Sequence, residues 1–415
     1  MHSYFSKLIF IPLLLLASSS STASGMPVDH GNPSVTTPCA DPGKPPVLKC
    51  GLAPGAIFDD KGRLWVAWAF AGHVYVNHSD DKGKSFSPPV VVNRIPEAIS
   101  AHGENRPKIG IDGDGRVFIS WTMPLEKKYT GHVRFSRSLD GGEHFSDPVT
   151  VNDNLEITGH RFEAMGINDR GDIYIAWLDK RDRLKAKREG KDYPGAALYY
   201  ALSDDHGASF HPNVKILDNT CECCRVVMDM DVDQFPVVMW RNIYDRNTRD
   251  HALVKFVEKN KAGRPVRVSY DYWKIDACPH HGPAISISDD GVYHLVWFDN
   301  APERHGLFYA QSRDKARSFS EPVNFGKYES TASHPHVLSL GQKVYVAWRE
   351  YDGKRNTIHL MRSSNGGLSW NETRLLAETD GESDYPFLLA SGFSVYLYWQ
   401  TQNEGFRLLT VDGVE

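Results

Sequence analysis

Four cysteines and four histidines carry the chemistry this sequence offers most plainly. Cys221-Glu222-Cys223-Cys224 sets three thiols within four positions. Cys278-Pro279-His280-His281 puts a thiol just ahead of two imidazoles, and His334-Pro335-His336 adds two more. Thiolate and imidazole are the donors of soft and borderline ions, so the set suits Cu(I) or Zn(II). The expectation is one transition-metal ion, copper favoured over zinc, held by donors drawn from Cys221, Cys223, Cys224, Cys278, His280, His281, His334 and His336. His102 and His160 are further candidates, as ligands or as groups that orient them. Disulfides compete for the same sulfurs. The chain has six cysteines, an even number that allows 15 full pairings. Cys39 and Cys50 bracket a short segment and read as a pair. A bridge from the 221–224 loop to Cys278 would join those two loops without any metal. The histidines tip the reading toward metal, since a disulfide needs none of them.

These loops are far apart in the chain, so a repeating fold must bring them together. Alternating apolar runs end at Trp68, Trp121, Trp177, Trp240, Trp297, Trp348 and Trp399, at intervals of 53, 56, 63, 57, 51 and 51 residues. Around each lie short apolar segments separated by Gly- and Asp-rich turns, as in residues 106–151, which read as four strands. Seven such units predict an all-β chain folded as a β-propeller of seven four-stranded blades, with six as the alternative. The last unit lacks a fourth strand, so residues 46–50 are expected to form a strand beside 406–411 and close the ring, which leaves no open edge. If strands run outward from the axis, the residues before each first strand and after each Trp share one face. That face gathers Arg106, Arg161, the 221–224 and 278–281 loops, His334, His336, Arg349 and Tyr385 at one channel mouth.

The turns before the outermost strands carry a motif. Ser79-Asp80-Asp81-Lys82-Gly83-Lys84-Ser85-Phe86 has related copies at 138–145, 203–210, 312–319 and 363–370; Ala316 replaces the Gly, Asn365 the Asp, and His144 the second Ser. The pattern S-x-D-x-G-x-S-F/W resembles the Asp box of the sialidase-like (BNR-repeat) propellers, and the resemblance covers most of the chain after residue 45. It implies the propeller fold. For a catalytic member it also implies an arginine triad gripping a substrate carboxylate, a Tyr nucleophile assisted by Glu, and an Asp acid. On that reading the catalytic candidates are Arg106, Arg161, Arg225, Arg349 and Tyr385. The family's Arg-Ile-Pro motif precedes its first Asp box, whereas Arg94-Ile95-Pro96 follows one here. No Tyr–Glu pair matches by motif, so sialoside turnover is not expected.

Three functional readings follow. The first is an exported propeller binding a transition metal in a binding or redox role. The second is an exo-α-sialidase-like glycoside hydrolase, and the third a non-catalytic glycan- or protein-binding propeller with disulfide staples. An enzyme here would be a metal-dependent oxidoreductase or a sialidase-like glycosidase. Lys7 precedes an apolar run, Leu8 to Ala17, and small residues end at Gly25. Residues 1–25 therefore read as a signal peptide cleaved near Ser24, 26–45 as an extended leader, and 46–415 as a single propeller domain. Export to the periplasm or beyond would place the thiols in an oxidising compartment. A net charge of −5 over 415 residues argues against nucleic acid as a partner. The expected partners are a metal ion, a small-molecule or glycan ligand, and a protein on the channel-mouth face. No run after the first is long enough to span a membrane.

Overall fold

The structure, a computed structural model, describes residues 46–412. The segments expected to be a signal peptide and a leader, residues 1–45 with Cys39, lie outside the described residues. Among those residues the strands form six antiparallel sheets: four of four strands, one of nine and one of three. Each unit is a meander. The first runs Leu52–Phe58, Leu64–Phe70, His73–Ser79 and Val90–Val91, paired in chain order. The nine-stranded sheet contains two of the expected units, joined by the single residue pair Thr220–Asn242. The last sheet has three strands, Phe387–Ser391, Ser394–Thr401 and Gly405–Asp412.

All seven repeat tryptophans lie in the second strand of their units and are at most 1% exposed. Burying an indole requires a partner for its N–H, and each has one. Trp68 donates to Asn77, Trp177 to Asp179, Trp240 to Asn242 and Trp348 to Glu350. Trp121 reaches Glu97, Trp297 reaches Asp271, and Trp399 reaches the Asp384 carbonyl. The same apolar stripe fills the spaces between neighbouring sheets. A cavity of about 220 Å³ is lined by residues from the first strand of every unit, among them Ala56, Ile109, Met165, Met228, Ile285 and Phe387.

The Asp-box turns are self-contained. In the first, Asp81 accepts from the Ser79 hydroxyl at 2.8 Å and from both the backbone N–H and the hydroxyl of Ser85, while Gly83 N–H donates to Ser79 Oγ. The other four repeat this circuit, including Asn365 in place of Asp and His144 Nδ1 in place of a hydroxyl. The Ser85 and Ser318 hydroxyls hold the Asp81 and Asp314 carboxyls down at about 2. Where the motif has Ala316 instead of Gly, the backbone still adopts φ 65°, a conformation that disfavours any side chain.

One expectation needs correction. Residues Leu48–Cys50 form a 3₁₀ turn rather than a strand, because Val47 and Leu48 carbonyls accept from Cys50 and Gly51 N–H. The turn buries Leu48 in a cluster that includes Phe406 and Leu408, so it packs by side chains instead of extending the ladder. Residues 179–196, between the second and third strands of the third unit, contain the helix Arg181–Arg188. Its Arg183 and the preceding Lys180 both pair with Glu222, between two of the clustered cysteines.

Candidate functional site

Cys221, Cys223 and Cys224 precede the short first strand Val227–Met230; Cys278 and His280 precede Ala284–Ile287 of the next unit. The two loops meet. Cys221 Sγ lies 3.7 Å from Cys223 Sγ and 3.9 Å from Cys224 Sγ, and the three sulfurs lie within 4.8 Å of one another. A second group within the same limit comprises Cys223, Cys278 and a ring nitrogen of His280. The 221–224 thiols are buried and Cys278 is exposed; all four are free thiols in this structure. Cys50 is disulfide-bonded.

Arginines surround the sulfurs. Arg249, from the strand Thr248–Glu258, donates to Cys221 Sγ at 3.0 Å. Arg241, wholly buried, lies against Cys224, and Arg161 acts on Cys223 and Cys278. Hydrogen bonds from the neighbouring thiols, and then Arg249, pull the Cys221 thiol well below its ordinary value. Burial pushes Cys224 up, as expected for a thiol far from water. Sequence reading missed Arg249, since nothing in a strand residue 28 positions from Cys221 marks it.

The remaining histidines sit apart from the sulfurs. His281 stacks on Phe298 and His334 at centroid distances of 4.1 and 4.4 Å, and His334 stacks on Tyr385 at 3.5 Å. Burial, with Arg241 and Arg349 nearby, lowers His281 to about 3, so the column is uncharged. His336 lines the central cavity, accepts from the Leu388 N–H and is lowered by burial to about 3. His160 lies against the Gly131 carbonyl and Asp179, and His102 packs edge-on to Phe162. His280 and His334 have φ of 53° and 51°. Non-glycine residues held there mark places where the surrounding fold overrides local preference, as happens at functional sites.

The arginine candidates divide into two pairs. Arg106 forks onto Asp384 with bonds of 2.8 and 2.9 Å and also donates to the Pro54 and Gly103 carbonyls. Arg225 donates to Glu104 at 2.8 Å; Glu104 also accepts from the backbone N–H of Arg225 and Gly282. Carboxylates of the chain itself therefore neutralise both arginines, and the Pro283 and Pro335 carbonyls take the remaining Arg225 donors. Among the described residues Arg161 has no ion pair; it lies 4.8 Å over Phe162 and leaves a buried Nε without a partner. Arg349 donates to the Ser383 carbonyl, lies over Tyr385, and likewise leaves its Nε unpartnered.

A buried carboxylate group lies nearby. Asp250, Asp271 and Asp299 have oxygens within 4.8 Å of one another. Arg267 pairs with Asp250, Arg304 with Asp271 at 2.9 Å, and Arg241 approaches Asp299 at 3.7 Å. The negative charge is compensated internally, and burial raises Asp299 to about 8.

No protein-family model and no curated protein matches the chain. Solved structures do. The Hadza microbial sialidase Hz136 aligns with a TM-score of 0.52 at 15% identity, over 85% of this chain and 74% of that one. A PL25 ulvan lyase aligns at 0.56 and 12%, over 87% and 94%. The polysaccharide lyase Uly1 aligns at 0.54 and 9%, over 87% and 90%. Likeness at such identity speaks to the fold alone. The chain has the fold of the sialidase-like propellers.

Proposed function

We propose that the chain is a transition-metal-binding propeller whose mouth takes a thiophilic ion, copper(I) before zinc. The observation that carries this reading is the mutual approach of the buried Cys221, Cys223 and Cys224 sulfurs. An ion at the centre of three sulfurs, with bonds of about 2.3 Å, would hold them about 4.0 Å apart, close to the 3.7 and 3.9 Å found. Structural zinc asks for four tetrahedral donors, whereas this group has three; soft thiolates favour copper(I). Arg249 and Arg241 would offset the charge of the sulfurs as they lose their protons. Elemental analysis of anaerobically purified protein should find stoichiometric copper. Cys223→Ser should abolish it, and His211→Ala, at an exposed pair with Asp204, should not. Protein with neither metal nor free thiol would make the cluster an oxidised staple and refute the reading.

A second reading, an acidic glycan held at the mouth, is favoured by the unpartnered Nε of Arg161 and Arg349; the fold neighbours include a sialidase and polysaccharide lyases. Sialidase-type catalysis fits poorly, because Asp384 fills the Arg106 fork and Glu104, with the Pro283 and Pro335 carbonyls, takes the Arg225 donors. A fluorogenic sialoside should not be turned over. Release of sialic acid that is lost in Arg161→Ala or Arg225→Ala would overturn this.

For the fold, the reading is seven blades closed into a ring, within a single domain over 46–415. The cavity lined by all seven first strands supports it. So does the contact between the first and last units, where a Cβ at Gly83 would lie 3.4 Å from Leu408. Export behind a cleaved signal peptide remains part of this reading, resting on residues 1–25.

A further inference from the structure

We infer that the thiol cluster holds two copper(I) ions rather than one, bridged by the Cys223 thiolate, with one position buried and the other open to exchange. This rests on the metal-binding reading above and adds a stoichiometry and a direction to it.

The argument begins with which donors can share an ion. Donors to one ion must all lie close to one another, since each sits within about 2.3 Å of it. The five donors here do not form a single such group. They form two sets of three, Cys221–Cys223–Cys224 and Cys223–Cys278–His280, and Cys223 alone belongs to both. A tetrahedral ion would need four mutually close donors. Copper(I), a closed-shell soft ion, is satisfied by three, and a thiolate sulfur has lone pairs enough to bridge two such ions. Two trigonal positions sharing one sulfur therefore use every donor, which one ion cannot do.

The two positions differ in access. Cys221, Cys223 and Cys224 are 1%, 4% and 1% exposed, so the inner ion would be closed off from solvent. The outer position has Cys278, which is exposed, and His280, which is partly buried. An incoming donor can reach the outer ion without opening the fold, and the shared sulfur gives that ion a route inward by ligand exchange. The charge is tolerable. Four thiolates and two copper(I) ions leave a net −2, facing Arg249 at 3.0 Å from Cys221, Arg241 against Cys224 and Arg161 on the Cys223–Cys278 side. Each thiol gives its proton to solvent as it binds. Copper enters and leaves as copper(I), so no electron is transferred.

The test is an anaerobic titration of the reduced full chain with copper(I) against a chromophoric copper(I) chelator, with native mass spectrometry to count ions. Two ions per chain are expected, one released much faster to excess chelator. Cys278→Ser and His280→Ala should each leave one slowly released ion. Cys224→Ser should remove the slow one, and Cys223→Ser should lose both tight sites. X-ray absorption of the loaded protein should show a copper–copper vector that disappears in His280→Ala. That variant alters no thiol and serves if a Cys variant misfolds. One ion per chain, unchanged by Cys278→Ser and His280→Ala, would overturn the bridged pair and leave the metal reading standing. No bound copper would overturn both.

Discussion

Glu104→Ala should be among the most damaging single changes around the cysteine loops. The Glu104 side chain is 2% exposed and accepts three hydrogen bonds, from the Arg225 guanidinium at 2.8 Å and from Arg225 and Gly282 N–H at 2.9 Å each. Those partners follow Cys224 and His281 directly in the chain, so one carboxylate ties both cysteine-bearing loops to a third. Removing it leaves a buried guanidinium without its counter-charge and two buried amides without their acceptor. Breaking a buried pair from one side costs about 3–5 kcal/mol. With an unfolding entropy of about 2.1 cal/mol/K per residue, that lowers the melting temperature of a domain this size by about 4–6 °C. Scanning calorimetry of the purified variant measures it. The double variant Glu104→Gln/Arg225→Met removes both charges at similar volume and should recover part of the loss, as a coupled pair requires. A Glu104→Ala protein melting within about 1 °C of the parent, or a double variant no better than Glu104→Ala, would refute the reasoning.

Other consequences can be checked on the same protein. Burial raises Asp299 to about 8 from an unfolded value near 4, so the folded chain keeps a proton that the unfolded chain releases. Stability should therefore fall as pH rises from about 4 to about 8, by up to about 1.4 kcal/mol per pH unit for this group. Asp299→Asn should flatten that part of a denaturant-midpoint-against-pH curve; an unchanged slope would assign the proton elsewhere. Ala316 holds φ 65° at the position where the other four Asp-box turns have Gly. Ala316→Gly should stabilise by about 0.5–1 kcal/mol, read from urea unfolding, and a loss would mean the methyl packs better than its backbone suffers. Gly367 has φ +80°, and a Cβ there would meet Tyr309 Oη at 1.8 Å. Gly367→Ala should lower the urea midpoint clearly, and an unchanged midpoint would show that the Tyr309 ring moves aside freely.

Much of the fold could be read along the chain because the interactions that specify it are local. A strand that alternates and ends in Trp needs only its own residues to declare a buried face. An Asp-box turn closes its hydrogen bonds within five positions, from Ser79 to Gly83 and from Asp81 to Ser85, so it survives the change to Ala316 or Asn365. The same locality explains the failure at Leu48–Cys50. Its outcome turned on whether two carbonyls bonded back along the chain or across to a neighbour, and apolar pattern does not decide that. The donor types at the mouth were also legible, Cys221, Cys223, Cys224, Cys278 and the four histidines alike. Their grouping was not. His280 and His281 are adjacent, yet a positive φ at His280 goes with one ring beside the sulfurs and the other in a stack with Phe298 and His334. Arg106 and Arg225 have the residue type of a substrate clamp, but carboxylates 278 and 121 positions away neutralise them. Arg161 and Arg349 each keep a buried Nε without a partner. Whether a charge is free or spent depends on what the closed chain brings within about 3 Å of it, and that distance exists only after folding.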